Sequence, residues 1–325
     1  MMVWGAGLRA AVLRLTGAAL AVLLVSCGGG QQVSKFVPQR ILSFGDENSM
    51  IVDSGDHNGS KYTVNALSTA DPSKLDCATN PIWNQYLASG YLLLFPQCNA
   101  SSLLATSQIL ATADATSGDV KSQIDQFLAS DSFSGTDLVT ILAGDNDVLA
   151  QYALIKVGTS TEADAIAVLG QAGSALADQV IRVAQAGGKV LISTILDMGT
   201  TPFAATEERA TVGRAALLTR LSKAFNDNLR LQLGRLLNDG HKIGLILANE
   251  TFASVVNNGS SSFVDVKDPV CAVDLLHCTT ATLVSTPPAV PSGTTWLWAD
   301  ERHLSAGGHA ILGSLALTRA TNNPF

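Results

Sequence analysis

Four short runs rich in Ile, Leu and Val constrain this chain more than any other feature of it. They are Arg40–Phe44, Leu138–Ala143, Lys189–Ile195 and Lys242–Ala248. Each is apolar without alternating, which suits strands of a parallel sheet covered on both faces. Between them, Ala163–Ala186 carries apolar residues at three- and four-residue steps and ends in Gly187-Gly188, a helix stop. Arg209–Leu237 reads as a second helix ending near Asp239-Gly240, and a last helix starts beside Ser305 and runs to Thr318. Strands alternating with helices imply right-handed βαβ units and a doubly wound α/β sheet. Two irregular stretches, Asp53–Thr79 and Asn249–Thr294, read as loops over the carboxyl edge of that sheet, where open α/β sheets bind ligands.

The first residues are a different material. Arg9 and Arg14 precede an apolar run, Ala18–Val25, and small residues follow. A positive start, a short apolar stretch and a small-residue stop describe a secretory signal peptide, and the run is too short for a permanent span. Leu24-Val25-Ser26-Cys27 has the form of a lipobox, with Cys27 as the lipidated new N-terminus; an ordinary leader or a plain anchor with an incidental cysteine is the competing reading. The expected division is residues 1–26 as leader, 27–39 as lipidated cysteine and tether, and 40–325 as one domain. Gly28, rather than Asp, follows the cysteine, and by resemblance to sorted lipoproteins this points to the outer membrane.

Removal of Arg9 and Arg14 takes the formal charge from −7 to −9, and no basic run remains. That argues against nucleic acid as a partner, because phosphate binding needs clustered Lys and Arg. With 47% hydrophobic and 14% charged residues, the chain can build a sizeable core and disorder is not expected. Cys77, Cys98, Cys271 and Cys278 remain after Cys27, an even count that reads as two disulfides in an exported protein. Three pairings exist; the sequence-local one, Cys77–Cys98 with Cys271–Cys278, is favoured over the others and over a zinc site. No metal-ligand spacing and no phosphate-cradling glycine loop stands out, so no metal or cofactor is expected.

Five blocks carry the chemistry. Phe44-Gly45-Asp46-Glu47-Asn48-Ser49 leaves the first strand. Asn80-Pro81-Ile82-Trp83 follows the first irregular stretch, and Gly144-Asp145-Asn146-Asp147 leaves the second clear strand. Asp197-Met198-Gly199-Thr200-Thr201-Pro202 follows the third, and Asp300-Glu301-Arg302-His303 precedes the last helix. In this order they resemble the blocks of the SGNH (GDSL) ester hydrolases across essentially the whole mature chain. The resemblance implies a three-layer α/β/α sandwich with a flavodoxin-like parallel sheet of about five strands. It also implies an acyl-ester substrate, a lipid or an acylated sugar. In it, Asp300 orients His303, His303 is the general base, and Asn146 donates its side-chain N–H to the oxyanion. His309 fits the closing helix, and His57, His241 and His277 have no partner pattern.

Two residues depart from the family pattern. Glu47 stands where the nucleophilic serine belongs, and Asn80 stands where the second block usually has its oxyanion-hole glycine. A carboxylate beside the imidazole favours imidazolium and removes the general base. Ser43 and Ser49 are displaced from the nucleophile's place, one in the strand and the other turned away from Glu47. Two functions therefore stay open: an ester hydrolase in which Glu47 takes part, and a catalytically inactive envelope protein on the same scaffold. An open cleft around Glu47, Asn146 and His303 favours the first, a plugged one the second. Trp83, Trp296 and Trp298 read as packing rather than as a substrate channel.

Overall fold

A computed structural model describes residues 35–53, 55–236, 242–259, 261–285 and 291–322. The expected leader, the lipidation site Cys27 and most of the tether lie outside the described residues. Among the described residues, no helix is long and apolar enough to cross a membrane.

The sheet has five parallel strands: β1 (Arg40–Gly45), β2 (Gln108–Ile109), β3 (Asp137–Leu142), β4 (Lys189–Ser193) and β5 (Ile243–Ile246). Their spatial order is β2-β1-β3-β4-β5, the flavodoxin-like order. Side chains alternate between the two faces, and both faces are apolar. Leu42, Phe44, Val139, Ile141, Val190 and Ile192 join one core cluster, while Ile41, Leu138, Leu142, Leu191 and Ile246 join the other. That double burial is why the strand sequences run apolar without a break. The two-residue edge strand β2 leaves too short a run to be recognised from sequence.

Helices cover both faces. They are α1 (Trp83–Ser89), α2 (Ser117–Leu128), α3 (Asp145–Lys156), α4 (Glu162–Gln185), α5 (Pro202–Ala210), α6 (Arg214–Leu236), α7 (Ala248–Asn258) and α8 (Ala306–Asn322). α2, α3, α4 and α6 pack on the first cluster; α1, α7 and α8 pack on the second. Thr161 starts α4 by accepting from the Asp164 backbone N–H at 3.2 Å, and Gly187 ends the segment at φ +111°. The single helix expected over Arg209–Leu237 is two helices: Thr201 caps a new N-terminus with Pro202 in its first turn, and Thr211 to Gly213 break the path before α6.

The stretch expected to be irregular from Asn249 to Thr294 holds α7 and a strand, β6 (Asp265–Pro269), whose partner is β7 (Trp296–Trp298). With the loop before α1, these segments form a third apolar cluster of Val64, Val270, Leu275, Trp296 and Ala299. Both expected disulfides are present, Cys77–Cys98 and Cys271–Cys278, with Cα separations of 5.5 and 5.8 Å. Trp83, Trp296 and Trp298 are all buried, as packing requires.

Candidate active site

The site lies at the carboxyl ends of β1 and β3, where the strand order reverses. β1 runs flush against β3 until Gly45. That residue sits at φ +132°, and a Cβ there would lie 1.9 Å from the Leu142 carbonyl oxygen, so only glycine fits. The Gln123 side chain clamps this end, accepting from Gly45 N–H and donating to Gly45 O, each at 2.9 Å. Asp46 then caps a single 3-10 turn, Glu47–Ser49, by accepting from the Asn48 backbone N–H at 3.0 Å. A residue on this short turn, held by so much buried backbone, has little freedom to move.

Glu47 is 2% exposed, and both its carboxylate oxygens are occupied. Oε2 accepts from the Asp114 backbone N–H at 2.8 Å and from Asn146 Nδ2 at 3.2 Å. Oε1 faces His303 Nε2 at 3.2 Å and Arg302 Nη1 at 3.1 Å. Burial alone would raise the Glu47 pKa. The His303 hydrogen bond, its own backbone N–H and the Arg302 charge outweigh that and hold it down at about 2.

His303 is placed by a closed loop after β7. Ala299 N–H donates to His303 O at 2.8 Å, and Asp300 Oδ1 accepts from the backbone N–H of both Arg302 and His303. The second Asp300 oxygen faces His303 Nδ1 at 2.8 Å. Burial opposes the charged ring, but carboxylates at both nitrogens raise its pKa to about 9. Carboxylates facing both ring nitrogens favour the imidazolium form, in which both N–H groups donate.

The structure brings four of the five residues named at this site together: Glu47, Asn146, Asp300 and His303. Asn80 is elsewhere. Its Nδ2 donates to Val64 O at 3.1 Å, and its carbonyl accepts from the buried Lys61 ammonium at 2.8 Å. The backbone N–H that reaches the site belongs instead to Asp114, after the edge strand β2. Asp114 sits at φ +58°, the left-handed region that favours glycine. Its position was hidden because β2 is so short and because an aspartate fills a place that suits glycine.

Arg302 is the second residue that sequence reasoning missed, although it lies inside the Asp300–His303 block. Besides Glu47, its Nη1 donates to Asn146 Oδ1 at 2.8 Å. The guanidinium thus covers the carboxylate and the side chain expected to stabilise an oxyanion. Ser49 and Ser43 offer no substitute nucleophile. Ser49 Oγ accepts from Trp83 Nε1, and Ser43 Oγ is bonded to Thr140 Oγ1 and Asn84 Nδ2. Asp147 of the same block has a structural task, accepting from Ser117 N–H and Oγ at the start of α2. His309 is buried in α8 beside Trp83 N–H, and burial lowers its pKa to about 3. Among the described residues, no group of three His, Cys, Asp or Glu side chains could hold a metal ion.

A family model described as GDSL-like Lipase/Acylhydrolase matches residues 48–316. Among solved structures, the chain is similar to Axe2, an acetylxylan esterase from Geobacillus stearothermophilus, at 13% identity over 88% of this chain and 96% of that one, with a TM-score of 0.45. It is similar to a member of the lipolytic protein G-D-S-L family from Veillonella parvula DSM 2008, at 13% identity over 86% and 96% of the two chains, with a TM-score of 0.42. LAE5, an alpha/beta hydrolase enzyme from the metagenome of Lake Arreo, Spain, is similar at 15% identity over 88% and 96%, with a TM-score of 0.43. A search of the curated proteins finds none that matches this sequence.

Proposed function

The chain belongs to the GDSL-like lipase and acylhydrolase family, hydrolases that act on ester bonds, and from that membership we propose that this protein keeps the ester-recognising scaffold while Glu47 has turned its reaction centre into a fixed ion cluster. In this reading it holds acyl esters at the bacterial envelope rather than cleaving them through an acyl-serine. The observation that carries it is the saturation of Glu47: four donors occupy the two oxygens of a side chain that is 2% exposed. A carboxylate held near pKa 2 is a poor nucleophile and a poor base, and a charged His303 has no room for a proton. Anchoring belongs to the same proposal. The lipobox at Cys27 supports export and lipid attachment, Gly28 supports the outer membrane, and two disulfides suit an oxidising compartment.

A second reading is ester hydrolysis with Glu47 as base for water and His303 as acid for the leaving group. It is favoured by the intact Asp300–His303 pair and by the two donors, Asn146 Nδ2 and Asp114 N–H, that converge on one oxygen. The experiment that separates the two is hydrolysis of 4-nitrophenyl acetate and butyrate by the full chain, with Glu47→Ser and His303→Ala alongside. The first reading expects wild type at background and a gain in Glu47→Ser. Turnover by wild type that His303→Ala abolishes would establish the second.

A further inference from the structure

The amino edge of the sheet, opposite the Glu47 site, carries apolar side chains that stay exposed among the described residues. Residues 77–113 contain no Asp, Glu, Lys, Arg or His, although charged residues make up 14% of the chain. Two turns in this stretch hold leucines out into solvent. Leu92 is 94% exposed and Leu104 is 89% exposed, with Leu103 exposed beside it. Leu92 sits at φ +58°, where a bulky side chain is strained, and Ser102 at φ +55° turns the chain just before Leu103. A leucine held this way costs backbone strain and hides no apolar surface, which points to something outside the fold.

Both turns lie at the same edge. Thr106 Oγ1 donates to Gln39 O at 2.8 Å and Ile41 N–H donates to Ser107 Oγ at 2.9 Å, which places Leu103 and Leu104 just before the amino ends of β1 and β2. The end of α1 packs on the end of α8: a Cβ on Gly90 would lie 2.7 Å from Leu317, and Arg319 of α8 donates to Ile243 O at the amino end of β5. Phe36, Tyr91 and Leu93 pack on the second core cluster beneath, and Val37 beside Phe36 is exposed. Lys189 starts β4, and Lys242 immediately precedes β5. Asp131 and Asp137, near the start of β3, are neutralised by Arg40. In a chain of net charge −7, this edge thus sets apolar tips beside cations.

We propose that this edge rests on a bilayer with anionic headgroups, Leu92, Leu103 and Leu104 entering the interface while the Glu47 site faces away. Apolar tips flanked by lysines are what an interfacial protein presents to anionic lipid. Cys27 stands nine residues before Phe36, and that length of chain reaches at most about 30 Å, so a lipid on Cys27 keeps this edge near the bilayer. Glu47 follows the other end of β1, about 17 Å beyond Arg40, and its site opens towards the aqueous compartment. In this respect the inference rests on the lipid attachment proposed above.

The test uses the full chain, as the cell exports it, with vesicles of dibrominated phosphatidylcholine and phosphatidylglycerol. Fluorescence is read from Leu92→Trp, Leu104→Trp and, as control, Val212→Trp, with wild-type emission subtracted. Val212 is exposed and close in sequence to Ala215, which packs on Gly199 beyond the carboxyl end of β4. Because the bromines lie in the hydrocarbon, the two leucine positions should be quenched about threefold and the control left unchanged. In a Leu92→Gly background, where the backbone suits glycine, quenching of Leu104→Trp should weaken with no loss of Tm. Flotation of the vesicles reports the anchor separately. Flotation with the same response at all three positions overturns this orientation and leaves the anchor standing. Quenching at the two leucine positions without flotation overturns the anchor and leaves the face standing. A blue shift at Leu92→Trp without quenching, together with a dimeric mass in detergent, would assign the face to a second copy and overturn the inference.

Discussion

One nitrogen of Arg302 joins two residues of the candidate site: Nη1 lies 3.1 Å from Glu47 Oε1 and 2.8 Å from Asn146 Oδ1. The arginine thus neutralises the carboxylate and occupies the acceptor end of the amide whose donor end faces that carboxylate. Because Arg302 and His303 are chain neighbours on a loop closed by Ala299, both cations reach Glu47 from one rigid support.

Removing the anion should cost more than adding back a neutral isostere can repay. Glu47→Gln leaves Arg302 and the Nε2 side of His303 without the anion between them, Asp300 remaining only at Nδ1, and is expected to destabilise the fold by about 3 kcal/mol. Adding Arg302→Met should recover part of that loss, because the two residues are coupled. Urea unfolding of the three variants measures it. A loss below about 1 kcal/mol for Glu47→Gln would mean that the cluster is not a stabilising unit.

His303 should titrate late. Its folded pKa of about 9 lies above the unfolded value, so its contribution is fully present below about pH 6.5 and is lost as pH rises through about 9. Glu47 has the opposite sign: its contribution is present above about pH 4.5 and fades as pH falls towards about 2. The stability difference between wild type and His303→Gln should therefore be greatest between about pH 4.5 and 6.5 and shrink towards pH 10. Ring-proton NMR of His303 gives a direct check, and a midpoint below pH 7 would contradict the ion cluster.

The two disulfides should contribute unequally. Cys77–Cys98 spans 21 residues and Cys271–Cys278 spans 7. Loop-closure entropy gives about 3 kcal/mol for the longer and about 2 kcal/mol for the shorter. Denaturation of the paired Cys→Ser variants under non-reducing conditions ranks them. A larger loss for the Cys271–Cys278 pair would show that this bridge acts through the apolar cluster it touches rather than through chain entropy.

Lipid attachment is tested at Cys27. Cys27→Ser is expected to abolish incorporation of labelled palmitate and to move the protein from the membrane pellet to the soluble fraction of cells. Continued labelling of the variant would rule out this cysteine as the acceptor.

Much of this protein is legible in its sequence. The continuous apolar strands, the helical periods between them and the order of the five blocks specify the layers and the family, because each rests on residues within one element. Glu47 and Asn146 stand at the carboxyl ends of β1 and β3, neighbours in the parallel sheet, while Asp300 and His303 follow β7, outside that sheet. The break before α6 and the strand pair that carries the His303 loop depend on weaker local signals, so their outlines came only from the fold.

The state of the site is a different matter. Asp114 N–H reaches Glu47 across 67 residues and His303 across 256, and no local pattern encodes such meetings. Sequence alone placed a carboxylate just after β1, at the position that the family resemblance gives to a serine. Tertiary structure decided what that carboxylate does, since pKa and saturation depend on which donors are brought within about 3 Å and on how much water is excluded. Asn80 and Asp114 make the same point: both stand at left-handed backbone positions, and only the path of the chain determines which one faces the chemistry.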